Sequence, residues 1–452
     1  MQWLLLFTTL IVMALLTRLA RGAPLEAQAT LALGCLTLAA TLAGTIAHRL
    51  RVPRIVGYLL AGFVAGPAWL RIVRVEQLDA LSVVANGALA LIAFAVGSEL
   101  TLDPFRGERR RALLRIVRGT MLVPFAAVTL VVLTVSPWFP LTAHQPFRDA
   151  LVVALVLGTM AAVGSPALTW AVITDTEASG PLSRATLDVT ILQDLIAVVV
   201  LIVILAVAQP LASAGAVRPG ITIQALSLVA GSIAVGIALG FGLLQYLRAI
   251  PGSLAWVLVL LAFIISQAVR LVGLDAVLIG FAAGFTLRAA APEHSERMRA
   301  ELQRCAMPVY VVFFALAGSN LDLAVLGQMW PWALLLAGLR ITGLWGGLRW
   351  AGAAGSQEPG VSAAWVQYGW LGLVSQGGLA VSLAAVLRRA FPEWNVSLEA
   401  LLVAMIGVHQ LVGPICFQWV LRRSGELNEE VEVAESAVFV GDGAVGGGGA
   451  RM

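Results

Sequence analysis

Polar residues break this chain only at wide intervals. Between them run apolar stretches, most of roughly 18 residues or more, the length at which a helix can cross a lipid bilayer. They recur over nearly the whole sequence and do not alternate with period two, which excludes the strands of a membrane barrel. The pattern predicts fourteen helices: 3–20, 28–48, 53–66, 79–101, 113–136, 150–173, 185–208, 222–248, 254–270, 274–288, 301–319, 329–350, 361–388 and 398–421. The third and tenth, at about 15 residues, are short against the ~20 of a usual span. Each starts beside a boundary signal, Pro53 in one case and Gly273 in the other. The expected fold class is an all-α integral membrane protein of about 13–14 transmembrane helices.

Composition agrees. Of the 452 residues 60% are hydrophobic and 12% charged, against about 25% charged in soluble domains, and mean hydropathy is +0.92. A pI near 9.4 would suggest nucleic acid in a soluble protein. Here the basic residues sit mostly in short loops, where they orient helices, so no nucleic-acid partner is expected. Lysine is absent, and all 29 basic residues are arginine. Cys35, Cys305 and Cys416 lie far apart in or beside apolar segments and read as small hydrophobes, with no metal or disulfide implied.

Loop arginines set the orientation. Residues 102–118 carry Arg106, Arg109, Arg110, Arg111, Arg115 and Arg118, and residues 288–304 carry Arg288, Arg297, Arg299 and Arg304. All loops of that parity hold about 19 arginines against about 9 on the other side, which makes this face cytoplasmic. Both termini are then expected inside, in a multi-pass protein of the cell's inner (plasma) membrane. The opening stretch MQWLLLFTTLIVMALLTRLA lacks a basic leader and a clear cleavage pattern, so 1–25 reads as an extra, retained N-terminal helix. At the other end, 424–452 is acidic and then Gly-rich and reads as a disordered cytoplasmic tail after a 1–423 transmembrane domain. No attached nucleotide-binding or other soluble domain is expected.

The halves repeat one another. AGFVAG at 61–66 matches IGFAAG at 279–284, and GSELTL at 97–102 matches GSNLDL at 318–323. Seven helices, an odd number, separate corresponding elements, so the second copy enters from the opposite side. The expectation is a pair of inverted-topology repeats, roughly 26–210 and 222–421, an arrangement that places transport sites at the midplane. Each half also has an interruption. The sixth helix contains GTMAAVGSPALTW, where Pro166 lacks an N–H and disfavours helical geometry at Ser165. The thirteenth contains LVSQGGLAVSL, weakened by Gly377 and Gly378. Two broken helices at corresponding positions are thus expected to cross, in a core built around 150–208 and 329–421.

Charge within the hydrocarbon marks candidate chemistry. Asp194 lies in LDVTILQDLIAVVVLIVILAV with an unbroken apolar run after it. A carboxylate there costs roughly 2.5–3.5 kcal/mol on insertion scales and is a functional candidate by default. One buried acid can hold a proton or a cation but not both comfortably, and that competition by itself gives exchange. Gln193 beside it offers a neutral oxygen that either ligates a cation or braces the break. The sequence does not separate the two. Arg340, the other mid-membrane charge, stays protonated and reads as structural support. Asp188 reads as a helix cap, and Glu99 and Asp103 as residues of a helix end.

At this point the succession RVPRIVGYLLAGFVAGP, LIAFAVGSELTLDPFR, the SPA of the sixth helix, QD of the seventh, VGLDAVLIGFAAGF, VYVVFFALAGSNLDLAVL and LVSQGGLAVSLAAVL resembles the monovalent cation:proton antiporter-2 family over about residues 28–421. The resemblance implies a homodimer, each subunit with a scaffold and a core that moves like an elevator. It places Asp194 at the family's cation- and proton-binding aspartate and Arg340 where a basic residue supports the core. Gln193 takes the preceding position, as in the glutathione-gated potassium efflux systems, which makes a two-proton stoichiometry doubtful. Gln376 stands where many relatives carry arginine.

The function expected is therefore transport rather than enzymology: electroneutral exchange of sodium or potassium for a proton, with no cofactor. Asp194, Gln193, Ser165 and Pro166 form the expected cation/proton site, and Arg340, Gln376, Gly377 and Gly378 its support. A cation channel, a sodium-coupled symporter and a non-transporting membrane scaffold or sensor are the competing classes.

Overall fold

In a bilayer the backbone has no water to bond with, so every apolar run must satisfy its N–H and C=O groups internally, which helices do. The computed structural model describes residues 2–100, 107–211, 220–249, 254–320, 323–353, 363–391 and 395–427. These form α1 (Gln2–Leu19), α2 (Leu25–Arg49), α3 (Arg54–Ala65), α4 (Val75–Glu99), α5 (Gly107–Thr134), α6 (Phe147–Ala162), α7 (Pro166–Asp175) and α8 (Pro181–Leu211). They continue with α9 (Ile221–Ala249), α10 (Leu254–Val272), α11 (Ala276–Ala290), α12 (Pro292–Ser319), α13 (Leu323–Ala353), α14 (Ala363–Gly372), α15 (Gly378–Ala390) and α16 (Asn395–Arg423).

Two pairs, α6/α7 and α14/α15, are halves of interrupted rods, broken at residues 163–165 and 373–377. With each pair counted once, the described residues form fourteen rods, one for every segment expected from the apolar pattern. Among the described residues, eight runs are long and apolar enough to cross a membrane, and shorter apolar helices fall within α1, α3, α10 and α11. The chain is a multi-pass, all-α membrane protein. Several rods start earlier than hydropathy suggests. α12 begins at Pro292 instead of 301 and α8 at Pro181 instead of 185. The added turns are polar, and proline at a first helical position supplies the start that apolarity does not reveal.

The short helices α3 and α11, of 12 and 15 residues, show why the repeated AGFVAG and IGFAAG motifs matter. Gly62 and Gly66 bring α3 onto Ala315 and Ser319 of α12, and Gly280 and Gly284 bring α11 onto Ala90 and Phe94 of α4. A Cβ at any of the four would run into facing backbone. Small residues are what allow helices to approach this closely in lipid. The short helix of each half thus lies on a long helix of the other half.

The rods pack in two groups. α1–α4 pack with α9–α12, while α5–α8 pack with α13–α16. The larger contacts between groups are α4 with α7, α3 with α7, α3 with α16 and α8 with α9. A polar link joins them at the far end of α7: Asp175 Oδ2 accepts the Arg54 N–H at 2.8 Å, and Oδ1 lies 3.8 Å from Arg54 Nε. The carboxylate thereby caps the start of α3.

The tail boundary needs correcting. Residues 424–427 are ordered against α8: both Glu426 carboxylate oxygens accept first-turn amides, from Leu182 at 2.6 Å and Ser183 at 2.8 Å. Gly180 leaves room for that side chain. An anion on a helix N-terminus satisfies otherwise orphaned donors. Asp188 stands seven residues into α8, beyond any capping position. Residues 428–452 lie outside the described residues, as does Asp103.

Candidate functional site at the crossing of the interrupted helices

Both interruptions arise as the residues dictate. In the first, Ser165 accepts the Leu168 N–H at 3.2 Å as N-cap of α7, and Pro166 opens that helix where no N–H is needed. In the second, Gly377 is the N-cap of α15 and Gly378 its first residue. The two breaks meet, for a Cβ on Gly377 would collide with Ser165 Oγ. Four half-helices therefore end at one crossing. The starts of α7 and α15 bring partial positive charge there, and the ends of α6 and α14 bring partial negative charge.

Arg340 of α13 occupies the negative side. Its Nε donates to Ala161 O at 3.0 Å and Nη1 to Val374 O at 2.6 Å, while Nη2 donates to Val163 O at 2.8 Å and Leu373 O at 3.1 Å. One guanidinium thus holds the carbonyl ends of both broken rods, and its side chain is fully buried. Gln376 adds a second brace: Nε2 donates to Met160 O at 2.7 Å and reaches Val163 O at 3.4 Å. Its Oε1 is buried without a partner.

Asp194 occupies the positive side. It is 6% exposed, and its Oδ1 accepts the Gly164 N–H at 3.1 Å, from within the first break. Among the described residues no ion pair joins it to Arg340. A cavity of about 40 Å³ opens against it, lined by Ser165, Pro166, Leu379, Val277, Leu278 and Phe281 among others, so Asp194 stands between the two packing groups. That volume is enough for a water or a small ion. No cluster of three or more His, Cys, Asp or Glu side chains occurs among the described residues. A cation here would rely on one carboxylate and neutral oxygens.

The structure therefore divides the expected site. Asp194, Ser165 and Pro166 share the cavity wall, and Gly377 and Gly378 begin the half-helix whose Leu379 also lines it. Gln193 does not line it. Successive helical residues point about 100° apart, and Gln193 Nε2 instead donates to Thr120 Oγ1 of α5 at 3.0 Å. Its Oε1 is buried, unpartnered and close to Gly164. Arg340 and Gln376 stand at the carbonyl ends. Several groups at or beside the crossing had not been read from the sequence. Gly164 and the carbonyls act through backbone atoms that carry no residue signature. Thr120 is one of three threonines in α5 and nothing in the sequence sets it apart. His409 of α16, fully buried with Nδ1 2.7 Å from Met405 O and Nε2 unpartnered, was legible as a lone imidazole within an apolar run.

Comparison with known proteins points one way. The family described as "Sodium/hydrogen exchanger, transmembrane" matches residues 36–423. The iron transporter MagA of Paramagnetospirillum magneticum is 29% identical over 168 residues, 37% of this chain and 35% of that protein. K(+) efflux antiporter 2, chloroplastic, of Arabidopsis thaliana is 28% identical over 184 residues, 40% of this chain and 14% of that protein. The matched stretches thus span about a third or less of these curated relatives. The structure of the sodium proton antiporter MjNhaP1 from Methanocaldococcus jannaschii at pH 8 superposes with a TM-score of 0.61 at 15% identity, covering 88% of this chain and 99% of that one. That likeness concerns the fold.

Proposed function

Because this chain belongs to the transmembrane sodium/hydrogen exchanger family, we propose that it exchanges one sodium or potassium ion for one proton, with Asp194 as the carrier both share. The observation that carries this reading is the position of Asp194, buried, unpaired with Arg340 and lining a cavity between the two packing groups. Loaded with a cation the carboxylate is neutral, and loaded with a proton it is neutral again. Gln193 adds no second titrating group, so the cycle moves no net charge. The empty, ionised carboxylate is the one form that burial disfavours, which discourages return of an unloaded carrier.

The moving body in this reading is the group α5–α8 and α13–α16, which carries Asp194 and both breaks past α1–α4 and α9–α12 as an elevator. The facing wall is apolar at the cavity, with Ala93, Val96, Val277, Leu278 and Phe281. Arg340 and Gln376 keep the crossing rigid while it moves, and Ser165 supplies a neutral oxygen on the cavity wall shared with the carrier. A homodimer in the plasma membrane, with both termini in the cytoplasm, completes the proposal. Of the relatives, the plant protein is named for potassium and the archaeal one for sodium. Both ions are therefore candidates.

Proteoliposomes loaded with a pH-sensitive dye test this. Wild-type protein should move protons on addition of sodium or potassium, at a rate that an imposed membrane potential leaves unchanged. Asp194→Asn should abolish the exchange. Full-rate exchange by Asp194→Asn would falsify the carrier assignment, and currents without coupled protons would identify a channel.

A further inference from the structure

The cavity at Asp194 has a second acid behind its wall. α11 begins at Asp275, after Gly273 turns the chain from α10 in the left-handed conformation, φ +79°. Asp275 Oδ1 accepts the Leu278 N–H at 2.8 Å, and its own N–H donates to Ser232 Oγ of α9 at 2.9 Å. Leu278 and its neighbour Val277 line the cavity that Asp194 faces. Asp275, three residues before Leu278 in that wall, is thus held at its carboxylate by the Leu278 amide and at its backbone N–H by Ser232.

The electrical setting gives this placement consequence. Without an anion, the start of α11 would present partial positive charge toward the cavity, added to that from α7 and α15. Three helix N-termini around one small cavity suit an anion and repel a cation. Asp194 answers part of that field, but it is also the group that must release its load. Asp275 is half-buried, lies in the group opposite Asp194, and is placed to offset the field without carrying the ion.

We propose that Asp275 is a positioning residue for the exchange: its charge draws a monovalent cation to the α10–α11 end of the cavity and lowers the barrier to reaching Asp194. The inference rests on Asp194 being the carrier, and it adds a residue from the other packing group. Charge and cap can be separated, because asparagine caps a helix about as well as aspartate while carrying no charge.

The test is cation-dependent proton flux in proteoliposomes with wild type, Asp275→Asn, Asp275→Ala, Asp275→Glu and Asp194→Asn. Asp275→Asn should raise KM for the cation by about three- to tenfold with little change in maximal rate. The difference from wild type should shrink as ionic strength is raised with N-methylglucamine chloride, because screening weakens the wild-type attraction. Asp275→Glu should stay near the wild-type KM. Asp275→Ala should share the KM shift of the asparagine variant and melt lower, through loss of the cap. If Asp194→Asn is inactive but Asp275→Asn keeps the wild-type KM at every ionic strength, Asp275 is only a cap and the inference fails while the carrier assignment stands. If Asp275→Asn lowers the maximal rate alone, the inference fails as well. Exchange persisting in Asp194→Asn would remove the premise instead.

Discussion

Asp194 and Arg340, both buried, sit at one crossing without pairing. Asp194 bonds the Gly164 amide and faces a cavity, while Arg340 gives all its bonds to four carbonyls. Each charge is matched to helix ends of opposite sign instead of to the other. The division has a chemical consequence. A guanidinium locked onto Asp194 would hold it ionised and closed to exchange, whereas one locked onto carbonyls stiffens the crossing and leaves the acid free to trade its load. The arrangement also explains how two unwound segments survive in lipid, where a bare carbonyl is expensive.

Arg340→Ala should therefore act on stability before it acts on selectivity. It strips Ala161, Leu373 and Val374 of their donor, at ~1–3 kcal/mol for each buried carbonyl left unsatisfied, and leaves Val163 only the long Gln376 bond of 3.4 Å. The expected loss is on the order of 3 kcal/mol or more, with a lower melting temperature in detergent and no exchange. Arg340→Lys keeps the charge but lacks the planar fork that spans both breaks, so it should fall between the two. An alanine variant that melts with wild type would show that the carbonyl cage does not hold the crossing.

The contact between Gly377 and Ser165 can be tested as a pair. Gly377→Ala places a Cβ against Ser165 Oγ, and overpacking of this kind costs ~1–3 kcal/mol. Ser165→Ala alone loses the α7 cap bond, worth ~1 kcal/mol. In the double variant the clashing oxygen is gone, so its melting temperature should drop by less than the two single drops combined. Strict additivity would mean that the two breaks do not touch.

The sequence told more about the rods than about what ties them together. Both interruptions were legible because Pro166 and the Gly377–Gly378 pair alter the backbone directly. Asp194 was legible because an acid inside an apolar run is costly to insert and stands out against its neighbours. The AGFVAG and IGFAAG motifs exposed the repeat, but not that each short helix packs on the opposite copy, since pairing is a long-range property. Arg340 was visible as a buried charge, yet its partners are carbonyls, which any residue supplies. Gln193 was placed with Asp194 on adjacency and on the resemblance of the Gln-Asp pair, and helical geometry turns it toward Thr120. Glu426 looked like the start of an acidic tail. Its role depends on amides more than 240 positions earlier, with |i−j| of 244 and 243, and no local pattern announces that.

The link between Asp175 and Arg54 makes the last prediction, because it spans the two packing groups at the end of α7 remote from Asp194. It includes an amide hydrogen bond of 2.8 Å at the start of α3, and the guanidinium at 3.8 Å adds a weaker attraction. Removing the acceptor with Asp175→Ala should cost ~1 kcal/mol, as loss of a helix cap does, which is about a fivefold rise in local opening. Hydrogen exchange at the Arg54 amide should accelerate by that factor, while amides within α13, inside one packing group, keep their rates. Asp175→Asn retains an acceptor oxygen without the charge and should lie between. If the Arg54 amide exchanges equally in wild type and the alanine variant, this carboxylate does not hold the groups together at that end, and the apolar contacts of α3 and α4 with α7 alone must do so.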